Sequence, residues 1–184
     1  MTPSSYSAPD HLIELDEWDA LPVDTSRRME LVEGVLLVSP RAPLRHQDVV
    51  VQLASALRAG LPSRWRALVN VEVVVDAGPT PTVRVPDVVV VPVSLVDDRA
   101  RCDASEVVAA FEVLSPGTRG TDRVTKLSEY ANAGIPFYAV VDPGPPVVLA
   151  CLRLAAGAYQ RVGEHSGRVR LDLGVAVVEL RLDA

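Results

Sequence analysis

Four apolar runs, rich in valine and closed by proline, glycine or an acid, constrain this chain more than any other feature. They are RALVNVEVVVDAG (66–78), TVRVPDVVVVPV (82–93), EVVAAFEVLSP (106–116) and FYAVVD (137–142). A branched Cβ loses rotamer freedom in a helix and packs well on a pleated surface, so each run predicts a strand. Only two long stretches carry helical spacing. In residues 43–60, His46, Val50, Leu53 and Leu57 recur on one face, with Pro43 suited to the first turn and Gly60 to the C-terminal cap. Residues 119–133 predict a second helix, capped by Gly134 and stopped by Pro136. Shorter elements complete the pattern. Residues 13–22 suggest a brief helix ended by Pro22, and residues 28–40 suggest two strands joined at Glu33-Gly34. The tail alternates VVLACLRL, AYQRV, RVRLDL and VAVVELRL. The expected fold is therefore α/β to α+β, a mixed β-sheet core flanked by α-helices.

With 184 residues, 48 % of them hydrophobic, the chain can bury a core without disulfides. No apolar run approaches the ~20 residues that span a bilayer, so no membrane association is expected. The first ten residues, MTPSSYSAPD, lack a basic end and an apolar stretch, and read as a disordered tail ahead of one domain, 11–184. Cys102 and Cys151 have no metal-like spacing, which fits a reducing cytoplasm. A net charge of -6 counts against a protein that holds nucleic acid mainly through a basic surface. It leaves room for an enzyme whose carboxylates bind a cation.

Two of those carboxylates stand out. Asp87 opens the apolar run 88–91, and Glu112 is the one charge in 107–114. An isolated ionised carboxylate in a core costs several kcal/mol unless it is paired, hydrogen-bonded or metal-bound. Strand alternation puts Val108, Ala110, Glu112 and Leu114 on one face. If the two strands are neighbours, Asp87 and Glu112 make a hard-oxygen site of the kind Mg²⁺ prefers; the structural alternative is that each acid pairs with an arginine. The cations add a second signal. Of 18 Lys and Arg residues, Lys126 is the one lysine. Wherever a generic positive charge serves, this chain uses arginine. Lys126 therefore marks a place where arginine does not work, or else an exposed i,i+4 pair with Asp122.

The ordered words Val85-Pro86-Asp87, Phe111-Glu112-Val113-Leu114-Ser115-Pro116, Asp122 and Lys126 through Tyr130, Gly134 and Pro136 to Val141-Asp142-Pro143 resemble the putative restriction endonuclease family of bacteria. That family is a branch of the PD-(D/E)XK nuclease superfamily. The likeness starts near Glu30-Leu31-Val32-Glu33-Gly34 and passes through His46-Gln47. There is one departure from the superfamily pattern. The lysine usually follows the acid by two residues on the same strand, where this chain has Leu114; in this family it comes from the following helix, and Lys126 matches it. The resemblance implies a restriction-endonuclease-like domain that hydrolyses DNA, with Asp87, Glu112 and the Val113 carbonyl holding Mg²⁺ or Mn²⁺. It implies that Lys126 orients the attacking water, and that Glu30 and His46 belong to the site. It also implies a homodimer, since such enzymes often cut both strands as pairs. Glu30 can equally be a polar strand residue. His46 can be a core histidine or, near a helix N-terminus, a phosphate contact. Glu33 reads as a turn residue, and His11 and His165 as surface positions. Ser115 has no base nearby in sequence, which leaves a Ser/His hydrolase without support. The competing reading is a degenerate member of the fold that binds nucleic acid or a protein partner without cutting.

Overall fold

The computed structural model describes residues 10–21, 27–96, 99–115 and 121–182, the side chains of 121–123 excepted. All but Asp10 of the expected N-terminal tail lies outside these residues. So does the side chain of Asp122.

The brief first helix, α1, spans Leu15–Ala20. Strands β1 (Arg28–Val32) and β2 (Val35–Ser39) form the expected hairpin. Its two turn residues, Glu33 and Gly34, have φ of 50° and 78°, the left-handed geometry that matches the twist of the flanking strands. The long helix α2 spans Leu44–Gly60. Beyond it come β3 (Trp65–Val69), β4 (Glu72–Asp76), β5 (Thr82–Arg84), β6 (Val88–Pro92), β7 (Arg101–Asp103) and β8 (Ala109–Val113). Helix α3 (Thr121–Asn132) leads to β9 (Phe137–Asp142), β10 (Val148–Ala155), β11 (Ala158–His165), β12 (Gly167–Asp172) and β13 (Val177–Leu182).

The strands sort into a five-stranded sheet, β2-β1-β5-β4-β7, a six-stranded mixed sheet, β11-β10-β9-β8-β6-β3, and the hairpin β12-β13. Two of the four predicted strands need correction. Residues 66–78 break between β3 and β4, at Asn70 with φ 52°, and residues 82–93 break between β5 and β6, at Val85-Pro86-Asp87. Pro86 has no N–H for a ladder and restricts Val85. In both cases the two halves enter different sheets, so the chain crosses from one sheet to the other within each of these runs. A third correction concerns Gly60, expected as the C-terminal cap, a place that Leu61 takes. Helix α2 runs through it, and the Leu61 N–H bonds back to the Leu57 carbonyl at 2.9 Å. The glycine instead permits close approach: a Cβ there would sit 2.5 Å from Val178 Cγ1 on β13.

Alternation divides the six-stranded sheet into two faces. Val88, Val90, Ala109, Phe111, Phe137 and Ala139 pack under α2 and the β12-β13 hairpin. Val89, Val91, Ala110 and Tyr138 pack with Tyr130, Ile135 and Val73, on the side that carries α3 and β4. Glu112 shares the parity of Ala110 and therefore looks toward α3. Helix α3 ends as its glycine predicts: Gly134 has φ 82°, and the Ile135 N–H reaches the Tyr130 carbonyl. No helix among the described residues is long and apolar enough to cross a membrane.

Candidate active site

The two lone carboxylates lie on adjacent strands. Strands β6 and β8 pair antiparallel with Val88 opposite Phe111, and continuing that register by one residue sets Asp87 opposite Glu112. Strand β5 ends at Arg84, and Asp87 follows Pro86 directly ahead of β6, as the chain enters the six-stranded sheet. Both acids are buried, at 1 % and 8 % exposure, so their charges have to be met inside the protein.

Each acid has one oxygen held by fixed donors and the other turned toward a common cation. Asp87 Oδ2 accepts the Val113 N–H at 2.7 Å and lies 3.2 Å from His46 Nε2. Glu112 Oε1 accepts Lys126 Nζ at 3.0 Å and the Tyr130 hydroxyl at 2.9 Å. The remaining oxygens, Asp87 Oδ1 and Glu112 Oε2, accept from Arg28 Nη1 at 2.8 Å and Nη2 at 3.4 Å. Arg28 Nη2 also donates to Glu30 Oε1 at 3.3 Å and to the Val85 carbonyl.

Glu30 anchors the cations. Its Oε1 accepts the Val85 N–H at 3.0 Å and Lys126 Nζ at 3.1 Å, and its Oε2 accepts Arg84 Nη1 at 3.1 Å. Arg84, only 3 % exposed, forks onto Glu129 with bonds of 2.7 and 2.8 Å. Lys126, Glu129 and Tyr130 are spaced i, i+3, i+4 and so share one face of α3. Through that face the helix is fastened to both sheets, and Lys126 is carried between Glu30 and Glu112.

The charges respond to this packing. Burial alone would raise the Glu30 carboxyl; Lys126, Arg28, the Val85 N–H and Arg84 outweigh it and bring it from 4.5 to about 2. Burial likewise works against the Asp87 carboxylate, and His46, Arg28 and the Val113 N–H hold its pKa down. For Glu112 burial prevails, assisted by Asp87 and Glu30, and its pKa rises despite Lys126 and Arg28. Burial disfavours the Lys126 ammonium, but Glu112 and Glu30 more than compensate and raise its pKa. Lys126 is therefore a cationic donor here, and no base.

Asp87, Glu112, Lys126, Glu30 and His46 thus converge, with Val113 beside them. His46 is the third residue of α2 and meets Asp87; it is 7 % exposed and its Nδ1 is buried without a hydrogen-bond partner. Gln47 is turned away, bonding the Ala42 carbonyl. His11 is exposed against Glu17. Three participants were not singled out from sequence: Arg28, Arg84 and Glu129. In a chain with so many arginines their residue type carried no signal, although Arg84 inside an apolar strand was a usable anomaly.

The donor set suits a hard divalent cation in part. Among the described residues, no three His, Cys, Asp or Glu side chains form a metal-holding group. Two carboxylate oxygens, Asp87 Oδ1 and Glu112 Oε2, do face one cation position, and a main-chain carbonyl is at hand. In an extended strand a residue's N–H and C=O leave by the same edge. The Val113 N–H points to Asp87, so its carbonyl leaves on that side too. Two hard carboxylate oxygens, a carbonyl and water are a set that Mg²⁺ accepts.

A family model, Uma2, described as putative restriction endonuclease, matches residues 14–184. Among solved structures, a putative nuclease belonging to DUF820 from Anabaena variabilis is similar in fold. It has a TM-score of 0.67 and 18 % identity, over 89 % of this chain and 91 % of that one. No curated protein matches the sequence.

Proposed function

This chain belongs to the putative restriction endonuclease family, and on that premise we propose that it hydrolyses phosphodiester bonds in DNA with the help of a divalent cation. One observation carries the reading. Asp87 and Glu112 each offer one oxygen to the same cation position, while the one lysine of the chain is locked onto the other oxygen of Glu112. Mg²⁺ or Mn²⁺ bound by Asp87, Glu112 and the Val113 carbonyl supplies polarisation of the scissile phosphate and a more acidic water.

The chain's own residues do the rest. The Val113 N–H and His46 fix the Asp87 carboxylate, and Tyr130 and Lys126 fix Glu112, so neither acid has to reorganise during the reaction. An ammonium has three hydrogens. Glu30 and Glu112 take two from Lys126, which leaves one for the attacking water or for charge growing on the phosphate. Glu30 completes the carboxylate cluster by holding that ammonium. Cutting both strands of a duplex calls for two such sites, in keeping with a homodimer.

The test is calorimetry joined to plasmid cleavage. Mg²⁺ or Mn²⁺ should raise the melting temperature of the wild type. Asp87→Asn and Glu112→Gln should abolish both that rise and the cleavage while leaving the circular dichroism unchanged. Equal metal affinity in all three proteins refutes the site. The second reading, a member of the fold that binds without cutting, is favoured by Arg28, which already meets both outward oxygens. Tight metal-free DNA binding with no cleavage would establish it.

A further inference from the structure

We propose that Arg28 is the resident cation of this site, and that it exchanges places with the divalent cation on the same two carboxylate oxygens. This rests on the metal-dependent reading above. The guanidinium meets Asp87 Oδ1 at 2.8 Å and Glu112 Oε2 at 3.4 Å, the two oxygens that no other described donor holds. Its remaining contacts are Glu30 Oε1 and the Val85 carbonyl. Every described partner of Arg28 is therefore an oxygen of the candidate site. A guanidinium and a divalent ion cannot share those oxygens, because like charges at contact distance in a buried site repel strongly.

Two further observations identify Arg28 as the cation that leaves. The first is exposure. The Arg28 side chain is 26 % exposed, against 8 % for Lys126 and 3 % for Arg84. Lys126 and Arg84 are enclosed between Glu30 and α3, whereas Arg28 has a path to solvent. The second is charge balance. Glu30, Asp87, Glu112 and Glu129 face Arg28, Arg84 and Lys126, so the carboxylates exceed the cations by one. Removing Arg28 leaves an excess of two, which one divalent ion neutralises. Keeping Arg28 beside that ion would turn the cluster net positive.

Arg28 on this account sets the metal affinity of the site, and it keeps two acids that face each other from repelling in the metal-free protein. The exchange is tested in two ways. In the wild-type protein, phenylglyoxal modification mapped by peptide mass spectrometry reports access to each arginine. Mg²⁺ should speed modification of Arg28 several-fold, whereas an unchanged or slower rate overturns the exchange. This measurement needs no variant to fold. Separately, isothermal titration with Mn²⁺ compares wild type, Arg28→Met and Asp87→Asn. The exchange predicts at least tenfold tighter binding in Arg28→Met than in wild type. If wild type binds in an Asp87-dependent way and Arg28→Met binds no tighter, the exchange fails and the metal site stands. If wild type and Arg28→Met both fail to bind, the metal reading fails and takes the exchange with it.

Discussion

Replacing Lys126 with methionine separates a buried site lysine from a surface one. Methionine keeps the unbranched stem and nearly the same volume, so the change removes the ammonium with little cavity. The lost contacts are the bonds to Glu112 at 3.0 Å and Glu30 at 3.1 Å. Hydrogen bonds to charged groups are worth ~1.5–3 kcal/mol each, which sets a ceiling of about 6 kcal/mol. Glu112, whose pKa is already raised, can take up a proton and limit the damage. The expected loss is therefore about 3–5 kcal/mol, the range for breaking a buried pair from one side. For a chain of this length that is roughly 10 °C in Tm. Urea unfolding followed by circular dichroism measures the loss. Plasmid cleavage at a temperature where both proteins are folded should fall at least ~10²-fold, as when one transition-state donor is removed. A stability loss below about 1 kcal/mol with cleavage intact would refute the burial argument. It would return Lys126 to the role of an exposed partner of Asp122.

Three other outcomes follow from the packing. Gly60→Ala brings a methyl against Val178 Cγ1 at 2.5 Å and should cost about 1–3 kcal/mol in urea unfolding; no cost would mean that α2 and β13 separate freely. The Glu30 carboxyl, lowered from 4.5 to about 2, contributes stability on the order of 3 kcal/mol above the unfolded value. That contribution is lost as pH falls from about 4.5 through 2, so the pH profile of wild type minus Glu30→Gln should slope across this window, and a flat difference would contradict the pairing. Cys102 and Cys151 are buried, with thiols pushed up to about 11 by burial; native protein should resist iodoacetamide at pH 8 while urea-unfolded protein reacts at both, and fast native labelling would show that the core opens.

Much of the fold and of the site is legible in the sequence. Valine runs gave the strands their identity, and Glu33-Gly34 fixed the first hairpin through its turn chemistry. Asp87, Glu112 and Lys126 were conspicuous because each broke a local rule: two charges sat in apolar strands, and one lysine sat among arginines. What alternation cannot report is where a run changes sheets. An apolar strand reads the same on either side of Asn70 or of Pro86, since both sheets bury valine on both faces. Arg28 and Arg84 were hidden for a different reason. Their importance lies in partners 59 and 45 residues away, and no spacing within one strand encodes a contact of that range.

Carrying the lysine on α3 and not on a sheet strand changes how this protein would fail under stress. A strand-borne lysine disappears only with the sheet, at the full free energy of unfolding. A helix can lift off in a sub-global opening that costs much less. Helix α3 has 12 residues, and its fastening to the sheets runs through Arg84, Glu30 and Glu112 as well as its apolar face. When it lifts, Lys126 and Tyr130 leave together and the acids remain behind on intact β-structure. Inactivation would then track the amide exchange of one helix, at denaturant concentrations where the sheets still report a native fold.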